Sequence, residues 1–145
     1  MMERILVVDN DSKTIHLLRQ IFSTAGFVVI SANRPDRALQ LAAEDHFILI
    51  ITESNFQEEM DGYMFTRRLR EFSDVPVVFL TNKFGSDDIL RAYEAGADDV
   101  VAKPFDTRVL LAKIKALLSR CKKIQAVPEI IDCGRLSIDQ VSREV

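Results

Sequence analysis

An α/β fold built on a doubly wound parallel sheet is predicted by three features of this sequence. Five short apolar runs, RILVV (4–8), FVVI (27–30), FILII (47–51), VPVVFL (75–80) and DVVA (99–102), lack the polar alternation of a half-exposed strand. Amphipathic segments lie between the runs, so strand and helix alternate as five βα units, the order that gives a parallel sheet covered on both faces. Polar and charged residues follow the runs directly: Asp9, Asn10 and Asp11, then Glu53, then Thr81 and Asn82, then Lys103. Sheets of this kind place their sites at the carboxyl ends of the strands, so these residues can converge on one pocket.

The helices have their own signals. Ile15, Leu18, Phe22 and Ala25 recur at helical spacing and stop before Gly26, a good residue for a helix end. Pro35 opens a second helix carrying Ala38, Leu39 and Ala42. The third is expected from Gly62 to about Phe72. Ser86, followed by Asp87 and Asp88, opens the fourth, which ends at Gly96. Asp106 can cap the fifth, with Leu110, Ile114, Leu117 and Cys121 on one stripe.

Composition narrows the function. The chain has 145 residues, 48 % apolar and 28 % charged, as in an ordinary globular protein with a real core. A net charge of −3 gives no basic surplus for binding nucleic acid unaided. MMERILVVDND is neither a signal peptide nor a membrane span, and Cys121 and Cys133 lie in no metal-type spacing. A cytoplasmic location with no membrane partner is expected. Nothing pairs His16 or His46 with a nucleophile, and no enzyme activity is expected.

The pattern changes near residue 121. CKKIQAVP reads as a linker (122–128) after a domain covering 1–121. EIIDCGRLSIDQVSREV (129–145) alternates apolar and polar residues, reads as short antiparallel strands, and is too short to bury a core of its own. A second domain is expected, of which this is the first fragment.

Asp9, Asp11, Glu53, Thr81 and Lys103 at strand ends, together with VPVVFLTN, AYEAGADDVVAKPF and LLAKIKALLSR, carry a family resemblance. Over roughly residues 3 to 121 the chain resembles the receiver domain of bacterial two-component response regulators; AGADD…KPF is its most specific block. The tail after the linker resembles the first strands of the winged-helix effector domain of OmpR/PhoB-type transcription regulators. The resemblance implies a flavodoxin-like (βα)5 fold with strand order 2-1-3-4-5. It also implies an aspartate after strand three that accepts a phosphoryl group from a histidine kinase, two acids after strand one that hold Mg²⁺, and a hydroxyl and a lysine that contact the phosphoryl oxygens. By position, Thr81 matches the hydroxyl, Lys103 the lysine, Asp9 the first acid, and Pro104 a proline that is usually cis in the family.

The departures matter more. Glu53 occupies the acceptor position, Asn10 replaces the second acid, and Val100 replaces the aromatic residue that reports the switch. The loop SNFQEEMDG lacks the usual proline and reads one residue longer than normal; another placement of the extra residue would put Ser54 at the acceptor site. Asp9, Asn10 and Asp11 thus form a degenerate acidic pocket. Three carboxylates within about 4 Å repel by roughly 4 kcal/mol per pair at an effective dielectric near 20. A neutral Asn10 reduces that strain and with it the need for a metal. Asp9 is the one residual ligand, no cofactor is expected, and Mg²⁺ should bind weakly. Conventional phosphorylation by a histidine kinase is not expected. Glu53 is one methylene longer than aspartate and carries one charge where a phosphorylated side chain carries about −1.5 to −2. It can act as a permanent partial mimic of the phosphorylated state by pairing with Lys103 and Thr81. The alternative is a solvated strand-end acid in a decayed site.

The OmpR/PhoB resemblance also implies a homodimer through the fourth helix, fifth strand and fifth helix. Arg91, Asp98, Asp99 and Lys113 stand at family-like positions on that face, while Val109 stands where an acid commonly pairs with the arginine. A transcription regulator that binds DNA through its missing C-terminal domain is the leading expectation. A stand-alone interaction module and a receiver still phosphorylated by a kinase are the alternatives.

Overall fold

The computed structural model describes residues 2–125, with side chains through Arg120. It contains β1 (Arg4–Val8), α1 (Ser12–Thr24), β2 (Val28–Ala32), α2 (Pro35–Glu44), β3 (Leu49–Thr52), α3 (Gly62–Leu69), β4 (Val77–Thr81), α4 (Ser86–Ala95), β5 (Asp99–Ala102) and α5 (Thr107–Gln125). The strands form one parallel sheet in the order β2-β1-β3-β4-β5, as expected.

The unbroken apolar runs follow from burial on both faces. Leu6, Val8, Ile50, Val77, Phe79 and Val100 point into a core with Ala38 of α2, Tyr63, Phe65 and Leu69 of α3, and Ala92 and Ala95 of α4. Their neighbours Ile5, Val7, Leu49, Ile51, Val78, Leu80 and Val101 point the other way, against Leu18, Ile21 and Phe22 of α1 and Leu110, Ile114 and Leu117 of α5. The strand period of two thus sorts residues into two cores, and right-handed crossovers put two helices on one face and three on the other.

Three strand bounds differ from the sequence reading because pairing follows the backbone rather than side-chain hydrophobicity. Phe27 belongs to the end of α1: its N–H bonds the Phe22 carbonyl, Gly26 N–H bonds Ser23, and Gly26 has φ +94°. That is a Schellman ending, with the Phe22 and Phe27 rings in edge contact. Phe47 is buried before β3 begins, with the Arg4 guanidinium over its ring. Pro76 has no N–H for a ladder, and the Val75 carbonyl is taken by Arg70 at 2.7 Å. At the other ends pairing continues through Ser31, Ala32, Thr52 and Thr81.

Among the helices, Ile21 takes the buried place assigned to Ala25, which is exposed at the helix end. Helix α3 stops at Leu69 rather than Phe72, because Glu71 and Phe72 turn tightly onto Arg68 and Leu69. Ser86 opens α4 as expected; Gly85 precedes it, and Asp88 reaches back to the Gly85 N–H at 3.2 Å. Asp106 caps α5 as expected, accepting from Arg108 N at 2.8 Å. Helix α5 runs to Gln125, past the end assigned to the domain at residue 121. The rest of the linker and the winged-helix fragment lie outside the described residues.

Candidate functional site

Sheet pairing delivers four residues to one end of the fold. Asp9 follows β1 and bonds the Ala32 carbonyl through its N–H; Glu53 follows β3 and bonds that of Val8; Thr81 ends β4; and Lys103 follows β5, its N–H on the Thr81 carbonyl at 3.0 Å. The Lys103–Pro104 peptide is cis, as the resemblance implied.

Glu53 turns inward. Lys103 Nζ lies 2.9 Å from Glu53 Oε1 and 2.9 Å from Asp9 Oδ2. The side chains are 12 % exposed for the lysine, 8 % for Glu53 and 3 % for Asp9, so the bridge is shielded from water. The remaining carboxylate oxygens are also engaged. Asp9 Oδ1 accepts from Asp11 N at 2.9 Å. Glu53 Oε2 accepts from Ser54 N at 2.7 Å and Ser54 Oγ at 3.2 Å. Thr81 meets Glu53 through that serine: Ser54 Oγ and Thr81 Oγ1 are 2.6 Å apart.

Burial and pairing oppose each other on each ionisable group. Burial pushes the Asp9 carboxyl above its ordinary 3.8, more than Lys103 and the Asp11 N–H pull it down. For Glu53, burial pushes up, but the Thr81 hydroxyl beside it, Lys103 and the Ser54 N–H together win and hold it below 4.5. Burial would lower Lys103, yet Asp9 and Glu53 raise it above 10.5. The linkage has a definite sign. A depressed Glu53 adds stability that is complete above pH 4.5 and lost as the pH falls through its lower folded value. In denaturant titrations against pH, the advantage of the natural protein over Glu53→Gln should be flat above pH 4.5 and shrink below it; an advantage that grows on acidification contradicts the assignment.

Asn10 and Asp11 behave differently from Asp9. Both are exposed, and Asp11 is spent as the cap of α1, accepting from Lys13 N at 3.1 Å and Thr14 Oγ1 at 2.9 Å. Those bonds, led by Thr14, lower its pKa. Among the described residues no group of three or more His, Cys, Asp or Glu is arranged to hold a metal ion.

The face named for dimerisation is partly engaged within the chain. The Asp98 carboxylate accepts from Val77 N at 2.9 Å and meets Arg70 at 3.2 Å, holding the start of β4. Arg91 lies over the Tyr63 ring at 4.2 Å, with Asp61 at 3.7 Å. Lys113 is 3.6 Å from Asp99. Leu90, Tyr93 and Val109 are exposed. His16 and His46 are exposed as well.

Two contributors have roles beyond those the sequence gives them. Ser54, an alternative acceptor in the sequence, is a bridge here. Gly62 opens α3 against the β3 end, where a Cβ would overlap the Glu53 carbonyl oxygen and crowd Ser54 Cα at 2.9 Å. The Asp61-Gly62 pair is the available signal: Asp61 caps α3 through Met64 N at 2.8 Å, and a glycine just inside a helix implies close backbone approach.

A five-stranded parallel sheet in this order, with an acid, a hydroxyl and a lysine meeting at its carboxyl end, defines a doubly wound signalling domain with a receiver-type pocket. The chain belongs to the response regulator receiver domain family, whose model matches residues 5–115. It is similar to the probable transcriptional regulator ycf27 of Porphyra purpurea, 35 % identical over 99 % of this chain and 60 % of that protein. It is also similar to the transcriptional regulatory protein SrrA of Staphylococcus aureus, 30 % identical over all of this chain and 62 % of that one. The chain therefore spans about three fifths of the length of these curated relatives. A solved two-component response regulator from Clostridium difficile superimposes with a TM-score of 0.78 at 27 % identity, over 82 % of this chain and 98 % of that one. No helix among the described residues is long and apolar enough to cross a membrane.

Proposed function

We propose that this chain is the receiver part of a DNA-binding transcription regulator that works without phosphorylation. Glu53 stands where a phosphorylated aspartate would be, and its charge holds the pocket in one state. The observation that carries this reading is the inward carboxylate sharing Lys103 with Asp9 at 2.9 Å on each side. Every oxygen of the two carboxylates already accepts a hydrogen bond, which leaves a poor nucleophile for a phosphodonor. The same donor set does not fit a resident Mg²⁺. The ion needs several hard oxygens, whereas here an ammonium lies between the two buried acids, Asn10 is neutral and Asp11 caps a helix.

The domain's work is then dimerisation through α4, β5 and α5, with DNA bound by a winged-helix C-terminal domain. Leu90, Tyr93 and Val109 supply an apolar surface there, while Arg91 is held by its own chain. Sedimentation velocity tests this. The monomer–dimer equilibrium should be the same with and without a small-molecule phosphodonor, and Glu53→Gln or Leu90→Arg should weaken it. Dimerisation that requires the phosphodonor overturns the reading.

A further inference from the structure

Ser54 is 1 % exposed and sits between the Glu53 carboxylate and the Thr81 hydroxyl. Hydrogen-bond chemistry favours one direction through it. An ionised carboxylate can only accept, so in the 3.2 Å contact with Glu53 Oε2 the Ser54 hydroxyl is the donor. While Ser54 donates there, its Oγ accepts from the Thr81 hydroxyl at 2.6 Å. Thr81 Oγ1 in turn accepts from the Lys83 N–H at 3.0 Å. The result is a single-direction chain from the backbone after β4, through two buried hydroxyls, to a charge. Chains of this kind polarise one another in a low-dielectric interior. The serine itself is fixed from the far side by the Gly62 N–H on its carbonyl at 2.9 Å.

We propose that Ser54 is a positioning residue that couples the charge of Glu53 to Thr81 and to the loop leading into α4. In this role the serine transmits what the acid at position 53 carries. The inference rests on Glu53 being ionised and inward, as in the reading above, but its readout is separate.

The test uses amide spectra of the ¹⁵N-labelled chain. Replacing Glu53 by Gln should shift the Lys83 amide in the natural background, because neutralising the terminal acceptor frees the hydroxyls to reorient. In a Ser54→Ala background the same replacement should shift Lys83 by less than half as much. Ser54→Thr, which restores a hydroxyl, should recover the response. Ser54→Cys keeps the size with a much weaker donor and should resemble alanine, which guards against a folding defect in any one variant. An undiminished Lys83 response in the alanine and cysteine backgrounds overturns the proposal. Failure of Glu53 as a stand-in charge has its own signature, dimerisation unchanged by Glu53→Gln.

Discussion

Replacing Lys103 by Met is expected to cost about 3 kcal/mol of stability at pH 7, the range for removing one member of a buried charge network. The lysine is the counter-charge for both Asp9 and Glu53. Without it, two buried carboxylates face each other with no ammonium between them. Methionine keeps most of the stem's apolar packing, so the loss reports the charge rather than a cavity. The deficit should shrink on acidification, because the stranded carboxyls can protonate in the folded state. In the natural protein the sign at high pH is opposite: the Lys103 contribution is complete below pH 10.5 and is lost as the pH rises through its higher folded value. Urea unfolding of both proteins at several pH values reads these differences. A loss below about 0.5 kcal/mol would mean that solvent screens the bridge as it does a surface pair.

Gly62→Ala is expected to cost about 2–3 kcal/mol, at the upper end for overpacking, because all three atoms it meets are backbone. No rotamer change can move the Glu53 carbonyl or Ser54 Cα. Either α3 shifts away from the sheet or the Glu53–Ser54 segment moves, and the second route breaks the Ser54–Thr81 contact. The variant should therefore lose stability and also shift the Lys83 amide. Gly85→Ala is the control. There the nearest atom is the flexible Asp88 carboxylate at 3.2 Å, and a cost under about 0.5 kcal/mol is expected. Equal losses in the two variants would mean that the α3 approach is not tight.

The residues that carry the fold were legible because burial on both faces leaves a period-free apolar run that few other arrangements produce. RILVV and DVVA were placed to the residue. The misplaced bounds share one cause: Phe27, Phe47 and Val75 are apolar for packing but do not pair, while Ser31, Thr52 and Thr81 pair although they are polar. The site was legible in membership. Asp9, Glu53, Thr81 and Lys103 follow strand ends, and a parallel sheet gathers strand ends. Its wiring was not. A sequence places Asn10 and Asp11 beside Asp9, but only the start of α1 decides that Asp11 caps a helix. Likewise, the resemblance placed Asp98 on the dimer face, and only the β4 start shows its carboxylate bonded to Val77 N–H and Arg70. Ser54 looked interchangeable with Glu53 as an acceptor until side-chain geometry separated a charged terminus from a bridging hydroxyl.

The most direct test of a receiver that works without phosphotransfer is the intact mass of the chain after incubation with Mg²⁺ and a small-molecule phosphodonor. The expected mass is that of the unmodified protein, since the Glu53 oxygens are already held by Lys103 and Ser54. A gain of one phosphoryl group, mapped to the peptide containing Glu53, would contradict it.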